Sequence, residues 1–122
     1  MGAVPPPDAV AEPDGYVVVV GPGDRIHFLD WGGPVGDGVL LLHGLSGTAW
    51  AWTPVARRLR ATRHVIAMDL RGHGLSDAPT DGYDPPTFSD EVTAVAEGSG
   101  LLDAPGTRVV LAGHGFGAIV AA

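Results

Sequence analysis

Hydrophobic residues along this chain gather mostly in short continuous runs, and segments rich in glycine and proline separate the runs. A run without alternation is typical of a strand that is buried on both faces of a sheet. The runs predict five strands, and the first two lie close enough to form a hairpin across the turn at residues 21–24. In chain order, the predicted strands cover residues 15–20, 25–32, 39–44, 64–70 and 108–113.

Helical spacing of apolar residues follows the third strand, on a face made of Trp52, Val55, Ala56 and Leu59. Thr48 precedes this segment and is predicted to be the N-cap of the helix. A second helix is predicted from a cap at Ser89 to about Ala96, and a third helix is predicted to begin at Phe116. Because strands alternate with helices after the hairpin, the sequence predicts an α/β fold with a parallel sheet and helices on its faces.

Composition places the chain among globular proteins, since 45% of its residues are hydrophobic and 17% are charged. The length of 122 residues is enough for one modest domain. Residues 1–14 are rich in proline and aspartate, and we expect them to form a disordered N-terminal tail. Nothing within residues 15–122 has the composition of a linker, so this stretch is predicted to be one domain.

Charge and motif content exclude several classes of partner. The net charge is −7 and no basic stripe appears, so nucleic acid is not an expected partner. The chain has no cysteine and no histidine pair at metal-binding spacing, so we expect no metal site. No nucleotide-binding glycine loop is complete, and no cofactor is expected. Because neither a signal sequence nor a membrane span is apparent, the sequence predicts a soluble, cytoplasmic protein without membrane contact.

Three segments at the ends of predicted strands carry residues with chemical meaning. The third strand leads into HGLSG from His43, the fourth into DLRGHGLS from Asp69, and the fifth into GHGFG from Gly113. A glycine-rich turn between a buried strand and a helix has the form of the G-x-S-x-G elbow, whose central serine is a nucleophile. In this order and spacing, the three segments resemble the N-terminal half of the α/β-hydrolase-fold proteins, over residues 15–122.

The resemblance implies an incomplete α/β-hydrolase fold, in which this chain supplies about five of eight strands of a mostly parallel sheet with flanking helices. It places Gly115 at the position of the nucleophilic serine. It also implies that the backbone N–H groups of Leu45 and Phe116 form an oxyanion hole, which stabilises negative charge on a carbonyl oxygen. The domain is expected to be truncated after the elbow, before the triad acid and histidine, so that a missing C-terminal half is needed to complete it.

Four further residues are predicted to surround a bound ligand, namely His43, Gly44, Trp50 and His114. The two histidines have a structural alternative, in which they only fix their loops, and the same alternative applies to His73. Trp52, like Trp50, is a candidate for the lining of an acyl pocket, and both tryptophans are alternatively core or helix-packing residues. The resemblance implies that Asp69 is structural, because the triad acid follows the nucleophile in chain order.

The resemblance implies a hydrolase of ester or related carbonyl bonds. The elbow has no Asp-Trp pair and no proline closely follows His43-Gly44, which favours the serine esterase, lipase and C–C hydrolase branches over epoxide hydrolases and haloalkane dehalogenases. Because Gly115 supplies no nucleophile, we expect this chain to be inactive as it stands. Two alternatives stay open: a non-catalytic protein that binds a small ester-like or carboxylate ligand, and a remnant without a function of its own.

Overall fold

The computed structural model describes residues 13–104 and 106–121. The five predicted strands are confirmed, as β1 Asp14–Val20, β2 Asp24–Gly32, β3 Gly38–Leu42, β4 His64–Met68 and β5 Val109–Gly113. A short 3-10 helix, Ala49–Trp52, leads directly into α1, and two further helices follow β4 and β5. The α-helices are α1 Thr53–Leu59, α2 Pro85–Gly98 and α3 Phe116–Ala121.

The strands form one sheet in the order β1-β2-β4-β3-β5. The sheet is mixed, since β1 pairs with β2 and β2 with β4 in antiparallel register, whereas β3 pairs in parallel with both β4 and β5. The α/β fold class is therefore confirmed, with parallel pairing among β4, β3 and β5. Because parallel strands end at the same edge, the loops after β3, β4 and β5 meet there.

Strand β3 explains why the apolar runs are continuous. Its residues are buried throughout, and alternate side chains enter two different cores. Leu40 and Leu42 join the core beneath α2 and α3, whereas Val39 and Leu41 join the core beneath α1. A strand between two helical layers needs apolar residues at every position, and this strand has them.

The predicted start of the second helix is wrong, because α2 begins at Pro85 and Ser89 lies inside it. Asp84 is the N-cap, and its carboxylate accepts a hydrogen bond from the Thr87 backbone N–H at 3.2 Å. The sequence interpretation took the prolines before Ser89 as loop residues. Proline is well tolerated in the first turn of a helix, where the backbone N–H groups have no partner within the helix.

Two other boundaries of the sequence interpretation concern Thr48 and the predicted N-terminal tail. Thr48 is the N-cap residue of the 3-10 helix, although its side chain makes no capping hydrogen bond. The predicted tail, residues 1–14, lies outside the described residues except for its last two positions, and Asp14 already pairs with Asp30 in the sheet. No helix within the described residues is both long enough and apolar enough to cross a bilayer.

Candidate active site

The turn between β5 and α3 has the geometry of a nucleophile elbow. Gly115 lies at its centre with φ +58°, in the left-handed region. The His114 N–H donates to the Leu42 carbonyl at 3.1 Å, and the Gly117 N–H donates to the His114 carbonyl at 3.0 Å. A residue with a side chain pays about 1–2 kcal/mol for this backbone conformation, and glycine adopts it without that strain.

The three glycines of the elbow have different surroundings. A Cβ atom on Gly117 would overlap the carbonyl oxygens of Leu42 and His43, and a Cβ atom on Gly113 would overlap the backbone of α3. At Gly115 the nearest atom to such a Cβ is the Gly44 Cα at 3.7 Å, an ordinary van der Waals contact. Gly113 and Gly117 are therefore required because no side chain fits at these positions, whereas position 115 has room for a side chain.

His43 joins the loop after β3 to the end of β4. Its side chain is buried, with 1% of the residue exposed. The Leu70 N–H donates to Nε2 at 2.9 Å, so the proton of the neutral ring lies on Nδ1, which donates to the Gly44 carbonyl at 2.7 Å. Burial lowers the pKa of His43, which favours this neutral form. The His43 side chain fixes the loop that faces the elbow.

Asp69 is the second side chain that holds this loop. It is buried at the end of β4, and it accepts hydrogen bonds from the Ala49 N–H at 2.8 Å and the Leu75 N–H at 3.1 Å. Its Oδ2 also lies 2.8 Å from His27 Nδ1 on β2. One carboxylate therefore connects β2, the start of the 3-10 helix and the loop after β4, and its contacts are those of a structural residue.

A cavity of about 270 Å³ opens beside the elbow on the α1 side of the sheet. Its lining consists of His43, Gly44, Ala51, Trp52, Val55 and His114. Of the four predicted ligand contacts, the structure thus brings His43, Gly44 and His114 together at one cavity. Trp50 does not line this cavity: it is 47% exposed and packs edge-on against Trp31, with ring centroids 6.1 Å apart.

Trp52, the other tryptophan that the sequence interpretation considered for a pocket, lines this cavity. Its indole Nε1 is buried and has no hydrogen-bond partner within the described residues. Helical spacing distinguishes the two tryptophans in the sequence. Trp52 lies three positions before Val55 and shares its predicted helical face, whereas Trp50 is not part of that face. Trp52 therefore contributes its side chain to the wall of the cavity, while its buried N–H remains without a partner among the described residues.

A second cleft of about 260 Å³ lies on the opposite side of the sheet. Its lining is Tyr83, Pro85, Pro86, Phe88, Ser89, Phe116 and Val120. The Phe116 ring, directly after Gly115, packs edge-on against Phe88 with centroids 5.1 Å apart. The sequence interpretation missed this cleft because it placed the start of α2 after the two prolines that form its wall.

A buried charge cluster holds the loop that leads to this cleft. Arg71 is 4% exposed and donates to Glu91 at 2.8 Å and to Asp24 at 2.9 Å. Its guanidinium also donates to the Asp81 carbonyl and lies 5.7 Å from the Tyr83 ring centroid. Burial raises the pKa of Glu91, and the hydrogen bond from Arg71 opposes that rise. The cluster ties one wall of the cleft to β2 and α2.

The remaining predicted residues lie near the elbow in different settings. The Leu45 side chain is 68% exposed, and Leu45 follows the glycine that faces position 115. Phe116 is the first residue of α3. His73 stacks obliquely on His43, with centroids 4.8 Å apart. Among the residues that the structure describes, no group of three or more histidine, aspartate or glutamate side chains could hold a metal ion.

The model of the Alpha/beta hydrolase family matches residues 39–122, which is more than half of the chain. The chain belongs to the alpha/beta hydrolase family. The matched residues begin at β3 and include the loop after β3, the Asp69 segment and the elbow. The resemblance of these three segments to the family is therefore confirmed.

Known members of the alpha/beta hydrolase family align with most of this chain. It is 35% identical to 2-(acetamidomethylene)succinate hydrolase of Mesorhizobium japonicum over 68% of its length, and 32% identical to epoxide hydrolase 4 of Mus musculus over 87%. It spans 29% of the length of each of these relatives. Because the two relatives differ in the substrates that their names state, the favoured branch of the family stays a prediction.

Solved structures of the family give the same picture of the fold. The structure of Cfl2 from Burkholderia cenocepacia superposes with a TM-score of 0.77 at 33% identity, and the match covers 88% of this chain and 34% of that one. The N-formylmaleamic acid deformylase of Pseudomonas putida S16 superposes with a TM-score of 0.73 at 33% identity, over 88% and 39% of the two chains. This chain thus corresponds to between a third and two fifths of these structures.

Proposed function

We propose that this site is that of a hydrolase of ester or related carbonyl bonds in which the nucleophile is lost, so that the chain holds its ligand without cleaving it. The observation that carries the proposal is the difference among the elbow glycines. Gly113 and Gly117 have no space for a Cβ atom, whereas Gly115 has space and a left-handed φ of +58°. The elbow keeps the shape that presents a side chain, and at its centre that side chain is missing.

Loss of the nucleophile outweighs every other feature of the site. In serine hydrolases it lowers the rate by about 10⁶, although binding and oxyanion stabilisation persist. Neighbouring serines do not replace it. The Ser76 hydroxyl is buried and donates to the Asp69 carbonyl at 2.6 Å, and Ser46 lies in the loop after β3, outside the elbow. What persists is a cavity with backbone donors, which suits a small ester-like or carboxylate ligand.

The proposal predicts that a serine restores turnover. Gly115→Ser, made in a chain completed with the C-terminal half that is expected to carry the triad acid and histidine, should hydrolyse p-nitrophenyl butyrate, since the space and the backbone conformation for the side chain are present. Gly115→Ala is the matched control, because it adds the same Cβ atom without the hydroxyl. The release of p-nitrophenol, followed in stopped-flow or steady-state assays, measures the rate of hydrolysis. A folded Gly115→Ser protein that is no faster than Gly115→Ala contradicts the proposal.

The same position also tests the branch of the family. Gly115→Asp should open styrene oxide if the site belongs to the epoxide hydrolase branch, which the similarity to epoxide hydrolase 4 supports. We expect the serine variant to be the active one, because leucine rather than proline follows His43-Gly44. Binding of butyrate to the unmodified protein, followed by NMR, separates a ligand-binding protein from a remnant, for which no shift is expected.

A further inference from the structure

The peptide unit between Gly44 and Leu45 carries one of the two backbone donors proposed for the ligand. In a trans peptide the C=O and the following N–H point in opposite directions. All described peptide bonds are trans. The direction of the Leu45 N–H is therefore set by whatever holds the Gly44 carbonyl. Two donors hold it: His43 Nδ1 at 2.7 Å and the Gly47 N–H at 3.0 Å.

His43 is itself fixed at its other nitrogen. Nε2 accepts from the Leu70 N–H at 2.9 Å, at the end of β4, so the ring cannot turn over without leaving a buried backbone donor unpaired. The residue is 1% exposed, and its ring contacts the His73 ring. The end of β4 thus fixes the tautomer of His43, and the tautomer fixes the Gly44 carbonyl.

The loop needs such a clamp because its backbone is strained. Ser46 has φ +63°, a left-handed conformation that costs a residue with a side chain about 1–2 kcal/mol. The turn is also crowded, since a Cβ atom on Gly47 would lie 3.0 Å from the Gly44 oxygen and 3.4 Å from His43 Nδ1. Strained loop conformations persist only where the surrounding contacts determine them.

We propose that His43 is a positioning residue that aims the Leu45 N–H at the ligand, through the hydrogen bond from its Nδ1–H to the Gly44 carbonyl. The His43 ring touches neither ligand nor reacting atoms in this role. The role of the Leu45 N–H toward a ligand rests on the proposed function. The orientation of the peptide unit does not, and it can be measured without any ligand or activity.

Two substitutions test separately the hydrogen bonds that the two ring nitrogen atoms of His43 make. In His43→Asn the side-chain amide nitrogen stands where Nδ1 stood, so it still donates to the Gly44 carbonyl, but nothing accepts from the Leu70 N–H. In His43→Gln the longer side chain places its amide oxygen near the position of Nε2, so it accepts from Leu70 and the donor to Gly44 is lost. Each variant therefore keeps one hydrogen bond and removes the other.

Residual dipolar couplings of the backbone N–H groups, measured on the full chain, report the result. We expect the Leu45 coupling to be unchanged in His43→Asn and shifted in His43→Gln. Protection of the Leu70 amide from hydrogen exchange should show the reverse pattern, with loss in His43→Asn alone. A Leu45 coupling that is unchanged in His43→Gln, or that shifts equally in both variants, overturns the proposal.

The unmodified protein provides a second test that does not require either variant to fold. Long-range ¹⁵N–¹H spectra of the His43 ring should show a protonated Nδ1 and an unprotonated Nε2 at neutral pH. The opposite tautomer overturns the proposal, because Nδ1 would then have no proton to donate. An inactive Gly115→Ser protein, by contrast, contradicts the proposed function and leaves these spectra as expected, so the two failures are distinguishable.

Where Gly115→Ser is active, turnover adds a further readout. His43→Gln in that background should lower kcat by about 10²–10³, the effect of losing one oxyanion donor, with little change in KM. His43→Asn should keep kcat within about tenfold, because the orientation of the donor is retained. A purely structural His43 would give two variants with equal losses, which contradicts the proposal.

Discussion

The turns that follow β3 and β5 face each other across the candidate site, and they are built in different ways. Side chains hold the turn after β3, with His43 on the Gly44 carbonyl and Asp69 on the Ala49 N–H. The turn after β5 is held by backbone hydrogen bonds and by close packing at Gly113 and Gly117.

Under the proposed function, this difference explains how the elbow would lose its nucleophile and keep its shape. Removing a side chain from the turn after β3 leaves buried N–H groups or a buried carbonyl unpaired, which costs about 1–3 kcal/mol for each group. Removing a side chain from the centre of the elbow unpairs nothing, and it relieves the strain of a left-handed residue. Loss of a nucleophile from this position would therefore leave the hydrogen bonds of the two turns intact.

The largest expected effect is at the crowded part of the elbow. Gly117→Ala places a Cβ atom against the carbonyl oxygens of Leu42 and His43, so the β5–α3 turn must move away from β3. We expect the free energy of unfolding to fall by about 3 kcal/mol, as for overpacked cores. Urea denaturation measures it. A loss below that of Gly115→Ala would show that space does not distinguish the elbow glycines.

We expect the titration of His43, in the turn after β3, to make the free energy of unfolding depend on pH. The pKa of His43 is lowered from its ordinary value of 6.5, so below pH 6.5 the unfolded chain takes up a proton before the folded chain does. Its contribution to stability is therefore complete above pH 6.5 and is lost as the pH falls through the folded pKa, with a slope of at most about 1.4 kcal/mol per pH unit.

The control for this titration is His43→Asn, which cannot take up the proton. Unfolding free energies of the two proteins between pH 7.5 and 5 should differ by a constant amount above pH 6.5 and converge below it. Parallel curves over the whole range would assign the acid sensitivity to other groups. Besides burial, which lowers the pKa of His43, the neighbouring His73 lowers it and the neighbouring Asp69 raises it.

Local patterns in the sequence predicted the elements and the elbow, because each depends on neighbouring residues. The run at 39–42 is apolar since both faces of β3 are covered, and the three glycines of the elbow lie within five consecutive residues. Contacts between distant residues were not predicted. His27 and Asp69 are 42 positions apart, and nothing in either segment indicates their hydrogen bond. The cleft beside Phe116 was missed for the same reason, since it needs the position of α2.

The smallest expected effect on the free energy of unfolding is at Gly115. It sharpens the comparison most, because at this position the cost of the backbone conformation is measured without a packing clash. Gly115→Ala adds a Cβ atom that has room, 3.7 Å from the Gly44 Cα, but it places alanine at φ +58°. The left-handed conformation costs about 1–2 kcal/mol, and the reduced freedom of the unfolded chain returns part of this, so we expect a net loss of about 1 kcal/mol. Urea denaturation beside Gly117→Ala measures the difference. An equal loss in both variants would mean that the elbow has closed over position 115, and that no ligand or nucleophile could be accommodated there.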